Sequence, residues 1–215
     1  MTAIRLLKPA ILAALVLTPV TLAAAVPPAA QWDIGPWVRG RNYSVGMPAN
    51  PEAAPGGGVR FTFPRAGRGQ VDALTTPIAP LGRARQITIR YRVDAAPGTR
   101  FVADETPDQP ATVSLYFQRG GDNWSARGRF GSYRWYAPPA AVIPLAPGER
   151  TVTVRLDGGW TNVNGQPVAN DPEGFAAARA ETAMLGLAFG SASRRSHGVY
   201  VTGQATFTLL DLDVR

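Results

Sequence analysis

From Val59 onward the apolar residues of this chain recur at every second position, and that period decides what it can fold into. Val59, Phe61 and Phe63 alternate with Arg60 and Thr62, and Ile87, Ile89, Tyr91 and Val93 alternate with Thr88, Arg90 and Arg92. The pattern returns in Val113, Leu115 and Phe117, in Val152, Val154 and Leu156, and in Leu185, Leu187 and Phe189. Side chains on a strand point alternately to its two faces, so each run reads as a strand with one face buried and one solvated. Turn clusters divide the runs: Ala96-Pro97-Gly98, Gly120-Gly121-Asp122-Asn123, Ala146-Pro147-Gly148, Asp157-Gly158-Gly159 and Asn164-Gly165. Many short strands punctuated in this way predict an all-β sandwich or barrel. One helix is expected, about Asp171 to Glu181, with Asp171 as cap and Pro172 in the first turn. In the last strand Phe207 and Leu209 share one parity while Leu210, Leu212 and Val214 take the other. A β-bulge near Leu209 and Leu210 would bring both sets to one core.

The preceding residues divide in two. Residues 1–25 read as a signal peptide, with Arg5 and Lys8 before an uncharged apolar run and Ala23 and Ala25 as small residues ahead of a cut before Val26. Export to the periplasm or the outside of the cell is the expectation, with no membrane span after cleavage. Residues 26–58 read as an irregular Pro- and Gly-rich arm that Trp32, Trp37 and Tyr43 pin to the sandwich, and residues 59–215 form a single domain. The chain has no cysteine, so an oxidising compartment offers it no disulfide. Its length is enough to bury a core without one. A net charge of +7, or +5 once Arg5 and Lys8 are removed, suits acidic partners. It lacks the clustering that nucleic acid requires, and no nucleic-acid partner is expected.

Chemistry that leaves local motifs is scarce. The only histidine, His197, lies in Ser193-Arg194-Arg195-Ser196-His197-Gly198, which reads as an exposed arginine-rich loop. Asp104, Glu105, Asp108, Asp122, Glu173 and Glu181 are carboxylates that glycoside hydrolysis could use in pairs, but none sits in a local motif and solvated loops are their expected place. No catalytic residue is assigned. With no cysteine and one histidine, zinc is excluded on ligand count.

Three passages from Gln86 to Arg215 carry a family resemblance. They are Thr112 to Arg119 leading into Gly120-Gly121-Asp122-Asn123-Trp124, then Ile143-Pro144-Leu145 with Thr151 to Leu156 across Pro147-Gly148-Glu149, and the closing Ala205 to Val214. Their order resembles the galactose-binding-like jelly-roll domain found in carbohydrate-binding modules. The resemblance implies a two-sheet antiparallel jelly-roll sandwich with a sugar-binding face or rim, often with a structural calcium ion. Scattered carbonyls with Asp33 or Asp211 are what the chain offers such an ion; no other cofactor is expected.

The aromatic and polar residues between Asp122 and Tyr136 fit that implication. Sugars present apolar C–H faces and hydroxyl edges, so their sites pair flat aromatic platforms with planar hydrogen-bonding groups. Asp122, Asn123, Trp124, Tyr133, Arg134 and Trp135 supply both kinds, and Trp160 with Asn162 forms a second cluster of this type. Tyr133 and Trp135 share one strand face and Arg134 the other, so one set belongs to the core and the sequence does not say which. The reading is an exported, non-catalytic domain that binds polysaccharide or oligosaccharide, neutral or acidic, with Trp124, Arg134, Trp135 and Trp160 as the leading contacts. Its rivals are a polysaccharide-cleaving lyase or glycoside hydrolase, and a structural or adhesion protein of the envelope.

Overall fold

A computed structural model describes residues 26–215; the expected signal peptide lies outside the described residues. Two antiparallel sheets face each other across one core, forming a β-sandwich. The front sheet runs in the order Asp33–Gly35, Ala73–Pro77, Thr182–Gly190, Thr112–Arg119, Arg134–Tyr136 and Thr161–Asn162, with Ile143–Pro144 also paired to Thr112–Arg119. The back sheet runs Gly148–Arg155, Gln86–Ala95, Ala205–Val214, Val59–Thr62 and Glu52–Ala53. From Val59 on, the long strands alternate between the sheets, so each crossing buries apolar residues of both in a shared interior.

That interior explains the period of two. Back-sheet Phe61, Tyr91 and Phe207 stack in a row, with ring centroids 5.5 and 5.1 Å apart, and Phe189 of the front sheet meets Phe61 and Phe207 edge-on. Leu209 pairs with Tyr91 and Asp211 with Arg90, which leaves Leu210 as the bulged residue. The bulge resets the parity, and Leu209 and Leu212 are both buried. The helix spans Pro172–Ala180, and Asp171 caps it by accepting from the Gly174 amide at 3.0 Å. Its Phe175 closes one end of the core against Trp135, Trp160 and Phe117.

Two sequence expectations change here. Residues 26–58 are not irregular throughout: Asp33–Gly35 is a strand of the front sheet, and Glu52–Ala53 an edge strand of the back sheet. Trp32 packs in the core at 1% exposure, but Trp37 and Tyr43 stay out of it, at 45% and 42%. The strand Thr112–Arg119 has no solvated face, since every residue from Thr112 to Gln118 is buried. Loops cover the outer face of the front sheet, and the space they enclose is the candidate site.

Candidate functional site

The outer face of the front sheet is floored by Tyr116, Tyr136, Ala73 and Ala188. Gly186 makes room for this floor, because a Cβ there would lie 2.7 Å from the Tyr116 ring and from the Leu74 carbonyl. Trp124 packs on this floor and also lines an open cleft of about 930 Å³, within the size range of small-ligand sites. Its walls come from five segments far apart in sequence.

The first wall is a hairpin in which Trp37–Val38 pairs with Arg41–Asn42. Arg39 and Gly40 both have positive φ, at 50° and 79°, as a two-residue turn between twisted strands requires. Asn42 donates to the Ile34 carbonyl at 2.9 Å and accepts from the Ser44 amide. Ser44 in turn accepts from the Asp72 amide at 2.8 Å, tying the hairpin to the sheet. The hairpin holds Trp37 and Tyr43 at the cleft, with Arg41 over the Tyr43 ring at 5.2 Å.

Opposite chemistry builds the second wall, the loop carrying Asp122, Asn123, Trp124 and Ser125. Trp124 has a φ of 64°, a conformation that costs a non-glycine residue of order 1 kcal/mol or more. The contacts around it hold it there. Asp122 accepts from the Trp124 amide at 3.1 Å and from Gln118 at 2.8 Å, and its Oδ2 lies 3.3 Å from Arg134 Nη1. The Asp122 and Arg134 side chains are both 2% exposed, and the contact is an ion pair without hydrogen-bond geometry at Nη1. The Arg134 guanidinium lies 4.1 Å from the Trp124 ring centroid, and Tyr116 meets that ring edge-on. A buried charge pair therefore supports the tryptophan from below.

The remaining walls carry ionisable groups. Arg195 donates to the Ala137 carbonyl at 2.8 Å, and the Tyr136 hydroxyl lies 3.4 Å from Ser196 Oγ. His197 donates from Nδ1 to Glu105 Oε1 at 2.9 Å. Beside them Asp72 is 6% exposed, and its Oδ1 has no hydrogen-bond partner. Burial, and then the neighbouring Asp104 and Glu105 carboxylates, push the Asp72 carboxyl up to about 8.

Of the residues singled out in the sequence, Asp122, Asn123 and Trp124 line the cleft, as do Asp104, Glu105 and His197, and Arg134 lies beneath Trp124. The others lie elsewhere. Trp135 and Trp160 are fully buried in the sandwich, because the helix and Phe117 close over them. Tyr133 packs on Phe130 and under Arg119 away from the cleft. Asn162 is buried and accepts from the Asn164 and Gln166 amides, which fixes the turn at Asn164-Gly165. Trp37, Tyr43 and Asp72 were missed as site residues. For Asp72 there was a signal: a lone acid in the apolar run Val71-Asp72-Ala73-Leu74. Among the described residues no group of three or more His, Asp or Glu is placed to hold a metal ion, and no helix is long and apolar enough to cross a membrane.

No protein-family model matches the sequence, and no curated protein matches it. Solved structures are similar in shape at low identity. A carbohydrate-binding module of the CBM28 family, specific for non-crystalline cellulose, is 14% identical with a TM-score of 0.46, covering 90% of this chain and 95% of that one. A structure described with the endo-acting O-glycanases that human gut bacteria express to initiate mucin breakdown is 10% identical, with a TM-score of 0.40 over 89% of this chain and 95% of that one. A cleaved adhesin domain of Lys-gingipain from Porphyromonas gingivalis is 14% identical, with a TM-score of 0.31 over 86% and 81%. At these scores the functional reading rests on the cleft itself.

Proposed function

We propose that the protein is an exported carbohydrate-binding domain whose ligand, a polysaccharide or oligosaccharide, lies in the cleft over the front sheet. One observation carries the reading: Trp37, Tyr43 and Trp124 line a single open cleft together with planar polar groups from Asn123, Gln70 and Arg195. Aromatic faces take the C–H faces of sugar rings. Asn123, Gln70 and Arg195 are placed for the hydroxyl edges. Trp37 and Tyr43 are among the exposed large hydrophobic side chains, and both lie at the cleft. Arg39, Arg41 and Arg195 extend the reading to acidic sugars. The alternation of strands between the sheets supports a jelly roll of the galactose-binding-like kind as the scaffold.

The test is affinity electrophoresis through gels containing neutral or uronate-bearing polysaccharides, alongside thermal melting. Wild-type protein is expected to be retarded in at least one gel. Trp37→Ala and Tyr43→Ala are each expected to weaken binding about thirtyfold, the equivalent of about 2 kcal/mol for a stacking hot spot. Their melting should match wild type. Free migration of the wild type through every gel would reject the reading.

A further inference from the structure

Binding alone leaves one part of the cleft unexplained. Asp72 is a buried acid in the cleft wall with an unpartnered oxygen, and nothing in the fold requires it there. Its neighbourhood is built around Gly198. Val71 pairs with Val199 across an antiparallel bridge, and the Asp104 amide donates to the Gly198 carbonyl at 3.0 Å. Gly198 has a φ of 90°, and a Cβ on it would stand 3.1 Å from Asp72 Oδ1. The same glycine thus adjoins Asp72 and is bonded to the backbone of Asp104, and both carboxyls line one cleft.

The two acids differ in surroundings. Asp104 is exposed and, among the described residues, in no ion pair, whereas Glu105 is held by His197 at 2.9 Å and Arg194 at 3.9 Å. The other charged groups lining the cleft are Arg195 and His197 from the loop before Gly198, Arg39 and Arg41 from the hairpin, and Asp122 from the Trp124 loop. Two carboxyls of one site in unlike environments are how a single site supplies both an acid and a base.

We propose that the cleft hydrolyses a glycosidic bond of the carbohydrate it holds, with Asp72 as the proton donor and Asp104 as the carboxylate that activates water. The inference rests on the carbohydrate reading. Asp72 gives its proton to the bridging oxygen as the bond from that oxygen to the anomeric carbon breaks. Asp104 takes a proton from water as the water oxygen bonds to the anomeric carbon. One water is consumed, each product ends in a hydroxyl, and solvent returns the proton from Asp104 to Asp72. At neutral pH Asp72 holds its proton, since its carboxyl titrates near 8.

The experiment measures reducing ends released from the same panel of neutral and uronate-bearing polysaccharides, with gel retardation and melting recorded for each variant. Wild type is expected to release reducing ends from a polysaccharide that retards it, with activity falling as pH rises past about 8. Asp72→Asn and Asp104→Asn should each lower the rate by about a hundredfold or more and keep both the retardation and a folded melting transition. Retardation with no new reducing ends at any pH overturns hydrolysis and leaves binding standing, and an Asp72→Asn variant that turns over like wild type overturns Asp72 as the proton donor. Unsaturated products also overturn it, because they mark elimination. Neither retardation nor cleavage overturns both readings.

Discussion

Replacing Trp135 or Trp160 with alanine is expected to remove about 3 to 5 kcal/mol of folding free energy, the range for a fully buried aromatic truncated in a packed core. Both indoles are 0% exposed. Trp135 packs on Phe175 with ring centroids 5.0 Å apart, and Trp160 on Phe117 at 5.1 Å. Each also satisfies a backbone carbonyl through its indole N–H, Ser132 at 2.9 Å for Trp135 and Arg155 at 2.7 Å for Trp160. Truncation leaves a cavity and strands that carbonyl in one step. Domains of this size are stable by about 5 to 15 kcal/mol in total, so such variants should unfold at much lower urea with little change in slope. Surface substitutions away from special features usually stay within about 0.5 kcal/mol. Trp37→Ala should therefore melt like wild type, and equal urea midpoints for Trp37→Ala and Trp135→Ala would contradict the placement of these side chains.

The second large effect is a gain. Asp72→Asn is expected to stabilise the protein, increasingly so toward alkaline pH. Asp72 titrates at about 8 in the folded protein against 3.8 ordinarily, so between those values the folded state keeps a proton that the unfolded chain gives up. Stability from this group is complete below 3.8 and is lost as pH rises through about 8. At about 1.4 kcal/mol per pH unit the loss has a ceiling of about 6 kcal/mol, and water in the open cleft will reduce it. Asparagine matches the protonated acid in shape and does not titrate. The difference in melting temperature between variant and wild type should widen from acid to alkaline pH and level off above about 8. Melting curves that stay parallel across that range would show that Asp72 is not held protonated. A residue that weakens the fold where it stands is consistent with the chemical role proposed for it.

The sandwich was legible because a one-sided core prints a period of two, as in Val59, Phe61 and Phe63. The change of parity after Leu209 likewise betrayed the bulge at Leu210. Between Arg134 and Tyr136 the same rule fell short. All three residues are buried, since the sheet is covered on both sides, and parity does not distinguish a core face from a loop-covered one. Trp135 took the core and Arg134 the buried place beneath Trp124. The site itself was least legible. Trp37, Asp72, Glu105, Trp124 and His197 meet only through sheet pairing and loop packing, which leave no local spacing to read. Trp37 and Tyr43 were expected to pack because large aromatics in Pro-rich segments usually need a surface. The tight turn at Arg39 and Gly40 instead folds the segment into a hairpin that holds both side chains at the cleft.

The tryptophan side chains provide the most direct test of the carbohydrate cleft. The chain has five tryptophans. Trp32, Trp135 and Trp160 are buried, with their indole N–H groups bonded to the carbonyls of Pro27, Ser132 and Arg155. Trp37 and Trp124 line the cleft. In a two-dimensional ¹H–¹⁵N spectrum of uniformly labelled protein, titrated with oligosaccharides cut from a polysaccharide that retards it, the indole signals of Trp37 and Trp124 should shift together with one saturation curve, while those of Trp32, Trp135 and Trp160 stay in place. A saturable shift confined to the three buried indoles, or no saturable shift at Trp37 and Trp124, would contradict a carbohydrate site in this cleft.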